Sequence, residues 1–296
     1  MNLRDLEYAV AVAEHEHFGR AAEACHVSQP TLSGQIRKLE AELGAPLFER
    51  GRGGVRITDL GRSVVAEARG VLAGAERIRD AGRAAGDPLG GSLSLGLIPT
   101  VAPYLIPRFV RSLRDQLPQL SVTYREDITE RLTADLLSGE LDAAVLATPP
   151  EDDALLAIPL YVEPFRLVVP DDHALAGAAQ PSIGDVDTNE LLLLTEGHCF
   201  RDQTAALCEL GPPRRSSLRA TSLETLVNLV AQGMGVTLVP SLARPAAPGL
   251  EVRPLSDLDA ARAVNLTVRK RFPRQALVER VAAIIKRGVG DAPSLG

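Results

Sequence analysis

Tryptophan is missing from this 296-residue chain, and the aromatic residues together make up only 3% of it. A core without large rings has to be built from aliphatic side chains, and an apolar content of 45% is ample for that. Cysteine occurs three times, which argues against a disulfide scaffold of the secreted kind and points to a reducing compartment, the cytoplasm. No apolar run approaches the roughly 18 residues of a membrane span. Arg4, Asp5 and Glu7 interrupt the start, where a secretory signal would carry its apolar region. A net charge of −6 gives no general pull toward nucleic acid, so any DNA binding has to come from a local surface. Five scattered histidines and the cysteine spacings fit no usual metal-ligand pattern, and no cofactor is expected.

What is present divides the chain. In residues 1–58, Leu3, Leu6, Val10 and Ala13 mark one helical face, and Ala21, Ala22 and Ala24 mark a short helix ending near Cys25, a core cysteine. Ser28-Gln29-Pro30 opens a second helix, with a polar cap and proline in the first turn, where its missing N–H costs nothing. Leu32, Ile36, Leu39 and Leu43 give that helix its buried side, and Gly44-Ala45-Pro46 ends it. Two helices joined by a tight turn form the helix-turn-helix pattern. The opposite face carries Gln29, Thr31, Ser33, Gln35, Arg37 and Lys38, candidates for base edges and phosphates alike. Ser28, Pro30 and Arg4 complete the expected DNA-facing set. A glycine-rich stretch then brings Arg50, Arg52 and Arg56 together with no acid between Arg50 and Thr58, the composition of a wing beside a groove. Residues 59–86 read as one long helix. Ile57, Gly61, Val64, Ala68, Val71, Ala75 and Ile78 recur at alternating steps of four and three, a heptad seam for a second copy of the same helix. Val64, Ala68, Val71, Ala75 and Ile78 are the expected dimer contacts, implying a homodimer on a palindrome-like DNA site. Residues 87–91, Asp-Pro-Leu-Gly-Gly, form a hinge.

These first 65 residues resemble the winged helix-turn-helix of LysR-type transcriptional regulators. The resemblance is carried by Leu3-Arg4-Asp5-Leu6-Glu7-Tyr8, Phe18-Gly19-Arg20-Ala21-Ala22, Ser28-Gln29-Pro30-Thr31-Leu32-Ser33, Ile36-Arg37-Lys38-Leu39-Glu40, Leu47-Phe48-Glu49-Arg50 and Thr58-Asp59-Leu60-Gly61, in ungapped spacing.

From residue 92 strand and helix signals alternate. Strands are expected at Leu93–Ile98, Leu120–Tyr124 and Leu141–Leu146 with helices between, a βαβαβ run that predicts a parallel sheet. A second set comes after it: strands at Phe165–Val169, Leu191–Leu194, Val236–Val239 and Val264–Val268, with helices at Ser222–Ala231 and Arg274–Lys286. The chain is expected to leave the first lobe near Tyr161 and return near Arg269. That makes 92–161 with 269–296 lobe I and 162–268 lobe II. The LysR resemblance implies the same architecture: an α/β effector domain of two Rossmann-like lobes, like a periplasmic binding protein, behind an all-α winged helix-turn-helix domain and a long linker helix.

One stretch, Leu191 to Cys208, stands apart. Four leucines read as a strand, Thr195 to Gly197 as a turn, and Cys199 to Cys208 as a helix opening beside His198 and Arg201. Unpaired N–H groups and nearby positive charge favour a thiolate at Cys199. Along an intact helix the two cysteines stand about 13 Å apart on nearly opposite faces, whereas a disulfide needs Cα atoms within about 7 Å. Two readings stay open here: a redox switch that must unravel the helix, or two small buried hydrophobes. Thr100, Thr129 and Cys199 all come just after expected strands, the place where α/β sheets bind ligands, although both threonines would also serve as helix caps.

Gly197-His198-Cys199, Arg201-Asp202-Gln203 and Cys208 resemble the hydrogen peroxide sensors among the LysR-type regulators. That resemblance implies Cys199 as the peroxidatic thiol and Cys208 as the resolving one. It also implies a peroxide pocket drawn from Thr100, Thr129, Gly197, His198, Arg201 and Asp202. The implied partners are double-stranded DNA, RNA polymerase, hydrogen peroxide as the signal, and further copies of the chain up to a homotetramer, with no membrane. Ser216-Ser217-Leu218 departs from the pattern, which would place a histidine just before Arg219. The alternatives are a regulator answering a small organic effector between the lobes, and a thiol peroxidase, although an enzyme has no need of a helix-turn-helix.

Overall fold

A computed structural model describes residues 1–51, 54–84, 87–208, 220–243, 245 and 247–290. The chain divides into two compact units, one formed by Met1–Arg83 and the other by the bulk of residues 84–296.

In the first unit α1 (Leu3–His15) starts from a capping box in which Asn2 and Asp5 exchange side-chain and backbone hydrogen bonds. His17 caps α2 (Phe18–Ala24). α3 (Gln29–Leu43) begins at Ser28, whose hydroxyl accepts from the Thr31 N–H at 3.3 Å, and ends at Gly44 in the left-handed conformation. Val12, Phe18, Leu32, Ile36, Leu39 and Leu47 close the core between them. A hairpin comes next, β1 (Phe48–Gly51) antiparallel to β2 (Gly54–Ile57). Glu40 Oε1 holds its base by accepting from the N–H groups of Leu47 and Phe48, at 2.8 and 3.2 Å. α4 (Asp59–Ala84) then leaves close under Leu47, where Gly61 is required because a β-carbon would run into the Leu47 carbonyl oxygen.

The second unit holds a seven-stranded sheet. β3 (Gly91–Leu97), β4 (Leu120–Glu126) and β5 (Ala143–Leu146) are parallel, in the order β4-β3-β5. The crossovers α5 (Ala102–Gln116) and α6 (Thr129–Ser138) connect them. β6 (Leu155–Pro170) is continuous for 16 residues and belongs to both lobes. In lobe II it pairs antiparallel with β7 (Thr237–Pro240) and β8 (Leu250–Pro254), and α7 (Cys199–Leu207) and α8 (Leu223–Val230) complete that lobe. β9 (Ala261–Arg269) returns antiparallel to both β5 and β6, and α9 (Gln275–Val289) packs on α5. Each lobe has its own aliphatic core. Among the described residues no helix is long and apolar enough to cross a membrane.

Two expectations need correction. The return to lobe I falls near Ala261 rather than Arg269, because Asn265–Val268, assigned to lobe II, pairs with β5 of lobe I. The strand expected at Leu191–Leu194 is reduced to two isolated parallel bridges, Leu191 with Val236 and Leu194 with Ala220. Leu191, Leu192 and Leu194 are buried as expected, but each neighbouring segment forms only one β-bridge with the run.

Candidate functional sites

On the DNA-binding unit Arg4, Ser28, Gln29, Pro30, Thr31, Arg37 and Lys38 are all exposed, most of them along one side of α3. Ser33 is corrected: it is buried in the unit beside Leu32 and Ile36 and presents no surface to a groove. In the hairpin Arg56 is exposed opposite Glu49, Arg50 lies in β1 opposite Val55, and Arg52 lies outside the described residues. Cys25 packs against the core, and burial, helped by the charges of Glu7 and Glu14, pushes its thiol pKa up.

The heptad seam of α4 splits into two halves. Gly61 and Ala68 are buried within the chain and Val64 packs against the DNA-unit core, beside fully engaged Val65. Ala68, expected at a dimer contact, therefore has no surface left for a partner helix. Farther along, Val71 is 49% and Ile78 76% exposed, with Ala75 half-buried between them. The seam serves its own unit first and is open to a partner only beyond Ala68.

The second site lies between the lobes, at the carboxyl ends of β3, β4 and β5. Thr100 comes after β3 and is buried, and its hydroxyl and carbonyl both accept from Arg262, at 2.8 and 3.0 Å. α5 takes no side-chain cap, so Thr100 is not its N-cap. Thr129 opens α6 after β4, and its hydroxyl is buried without a hydrogen-bond partner. A capping role would have satisfied it, so this hydroxyl does not cap α6. After β5 the Ala147 carbonyl accepts from Gln203 Nε2 of α7 at 2.7 Å, while Gln203 Oε1 is buried and unpaired. Gly197, at φ 92°, makes the turn into α7. A β-carbon there would sit 3.5 Å from the Ile128 side chain, next to Thr129.

α7 therefore bridges the lobes. Cys199 packs against the lobe I core, Phe200 is buried in the lobe II core, and Cys208 at the C-terminal end packs against lobe II. Burial holds the His198 imidazole below its ordinary pKa, so at neutral pH it is uncharged, with one N–H to give and one lone pair to receive. Burial thus works against a charge on His198, and Arg201 turns to Glu196 at 3.3 Å. Asp202 is exposed. Behind Phe200 stands a buried ion pair. The Arg262 guanidinium donates to Glu163 at 2.8 and 3.0 Å, lies 5.3 Å from the Phe200 ring centre, and holds Thr100 on its other side.

Burial pushes the Cys208 thiol from its usual pKa up to about 11. Its thiolate fraction near neutral pH falls about a hundredfold, since each pH unit is a factor of ten. Iodoacetamide is expected to label Cys208 of the folded, reduced protein about a hundred times more slowly than in urea at the same pH. Equal labelling rates, read by peptide mass mapping, would contradict that burial.

The sequence motif included Gln203 but assigned it no role, and Glu163 and Arg262 were passed over. For Gln203 a signal was present: it lies four residues after Cys199, on the same helical face. No local signal links Glu163 to Arg262. The Ser216-Ser217-Leu218 departure lies outside the described residues.

A winged helix-turn-helix ahead of a two-lobed α/β unit defines a bacterial regulator that combines DNA binding and effector recognition in one chain. Residues 3–62 match the family model described as a bacterial regulatory helix-turn-helix protein of the lysR family, and residues 86–290 that of the LysR substrate binding domain. The chain belongs to the LysR family, within the group of hydrogen peroxide-inducible genes activators, the OxyR proteins. It is 43% identical over 290 residues to the hydrogen peroxide-inducible genes activator of Dickeya chrysanthemi, covering 97% of this chain and 95% of that protein. The same figures hold for the DNA-binding transcriptional dual regulator OxyR of Escherichia coli K12. Among solved structures, full-length OxyR of Pseudomonas aeruginosa with a cysteine-to-aspartate substitution aligns with TM-score 0.76 and 41% identity, covering 97% of this chain and 95% of that one. A peroxide-bound cysteine-to-serine OxyR variant from Corynebacterium glutamicum aligns with TM-score 0.66 and 35% identity, covering 98% and 93%.

Proposed function

We propose that this chain is a DNA-binding transcriptional regulator that senses hydrogen peroxide through Cys199 and Cys208. The observation that carries the proposal is α7 itself: one short helix with a thiol at each end, the first against lobe I and the second against lobe II. In the first step the Cys199 thiolate attacks one peroxide oxygen, the O–O bond breaks, and hydroxide leaves with Cys199 as a sulfenic acid. In the second, the Cys208 sulfur displaces the sulfenic oxygen, giving a disulfide and water. Thr129, Gln203 and His198 supply the polar groups for a guest the size of two waters, with Thr100 and Gly197 shaping the floor. Arg201 and Asp202 stand at its outer edge.

Because the ends of α7 lie about 13 Å apart, the second step requires the helix to open. The refolded segment then no longer bridges the lobes as before, and the effector units of a homodimer or homotetramer shift against one another. Val71, Ala75 and Ile78 are the seam through which paired α4 helices carry that shift to the recognition helices and so to promoter DNA and RNA polymerase. The test is stoichiometric peroxide added to the reduced protein, with disulfide mapping as the readout. A Cys199–Cys208 link within seconds is the expected result. Two intact thiols after minutes in micromolar peroxide would overturn the proposal and direct attention to an organic effector between the lobes.

The DNA surface has its own test. Arg56→Ala is expected to weaken binding to every duplex alike and to lower the slope of log affinity against log salt by about one, as is Arg52→Ala. Gln29→Ala or Thr31→Ala is expected to change preference among sites by about 1–3 kcal/mol. Binding titrations that stay unchanged for every duplex would refute the assignment of wing and recognition helix.

A further inference from the structure

We infer that Thr204 sets how readily α7 opens, and through that the rate at which the disulfide closes. Phe200 and Thr204 lie four residues apart on one face of α7, 2% and 1% exposed. Phe200 fits its place, edge-on to Phe165 with ring centres 5.1 Å apart in the lobe II core. Thr204 does not. Its hydroxyl is buried without a hydrogen-bond partner. A helical threonine usually escapes this state by bonding to the carbonyl four residues back, here that of Phe200, and that bond is not made.

A hydroxyl buried in this way has lost its water and gained nothing in return. The penalty exists only while α7 is folded and docked; once the helix opens, the hydroxyl is hydrated. Thr204 thus subtracts from the stability of the folded, docked helix alone. The rest of α7 is also weakly secured. It has nine residues, its N-cap His198 makes no side-chain cap bond, and helices of this length depend on packing. The backbone of the same residue ties in the resolving thiol: the Thr204 carbonyl accepts the N–H of Cys208 at 3.1 Å.

Resting on the redox function proposed above, the effect falls on one chemical step. Peroxide oxidation of Cys199 to the sulfenic acid occurs at the lobe I end of α7 and needs no opening. Capture by the Cys208 thiol, which forms the S–S bond and releases water, does. Thr204 acts on closure, as a positioning residue, and leaves the peroxide step alone.

Thr204→Val keeps the shape of the side chain and removes the hydroxyl. It is expected to raise the Tm of the reduced protein by about 2–4 °C and to slow disulfide closure about tenfold. Sulfenic acid formation, trapped with dimedone in a Cys208→Ser background, is expected at the unaltered rate. Thr204→Ser, which keeps the hydroxyl and loses the methyl group, is expected to close at least as fast as the parent protein. Closure at the parent rate with an unshifted Tm in Thr204→Val overturns the inference, as does a lowered Tm with faster closure. A parent protein that forms no Cys199–Cys208 disulfide overturns the redox function and this inference together, which separates the two failures.

Discussion

Cys199→Ser is expected to leave the protein folded and able to bind DNA, while its peroxide response falls by a factor on the order of a hundred or more. Sulfur reacts as the thiolate, and a serine hydroxyl has no comparably populated anion near neutral pH. Cys199 is half-buried against the lobe I core, so an oxygen in place of sulfur disturbs packing little. Cys208→Ser has a different expected outcome: the sulfenic acid forms and persists, because its capture is the step removed. Dimedone labelling and disulfide mapping on both variants distinguish these results. A Cys199→Ser protein that still switches its DNA binding with peroxide would remove this residue from the mechanism.

Glu163→Ala is expected to cost about 3–5 kcal/mol, because it strands a buried guanidinium. Both side chains of the Glu163–Arg262 pair are 1% exposed, so water cannot replace the lost partner. Glu163 also accepts from the Leu242 N–H at 2.9 Å, and that donor is orphaned as well. With roughly 2–4 °C per kcal/mol for a unit of this size, the Tm of the reduced protein should fall by about 10 °C. The loss reaches the candidate site, since Arg262 holds Thr100 and backs the Phe200 ring. Replacing both partners by apolar residues of similar volume is expected to lose much less than either single change, because no charge is then left unpaired. A Tm within about 2 °C of the parent protein for Glu163→Ala would show that the guanidinium finds water after all.

The DNA-binding unit was legible in sequence because its signals are local: Ser28 and Pro30 start α3, Gly44 stops it, and a four-three-four apolar pattern fixes its buried side. The turn before Cys199 was equally local, since Gly197 adopts a φ that other residues rarely take. Ser33 was misplaced because period alone leaves a flank position between the apolar stripe and solvent undecided. β6 read as a short strand because Pro159 and Pro164 interrupt it. The register shift between Pro159 and Tyr161 accommodates the first of them. The candidate site between the lobes was only half legible. Thr100, Thr129 and Cys199 come after strands, but the pairing of Thr100 with Arg262 joins residues 162 apart, and the orphaned hydroxyls of Thr129 and Thr204 exist only in three dimensions.

The long ladder between β6 and β9, from Leu155 with Arg269 to Pro164 with Ala261, has a consequence for how this protein can be dissected. Lobe II is not a module that can be cut out. Severing the chain near Tyr161 and Ala261 cuts through β6: Ala261–Ala263 at the start of β9 stay with lobe I while their partners Val162–Pro164 go with lobe II, and both pieces are left with a bare stretch of strand edge. Such an edge is a template for pairing with other chains. Fragments divided at the lobe boundary should therefore precipitate as intermolecular sheets, and the smallest piece that stays in solution should be the whole span from β3 to α9.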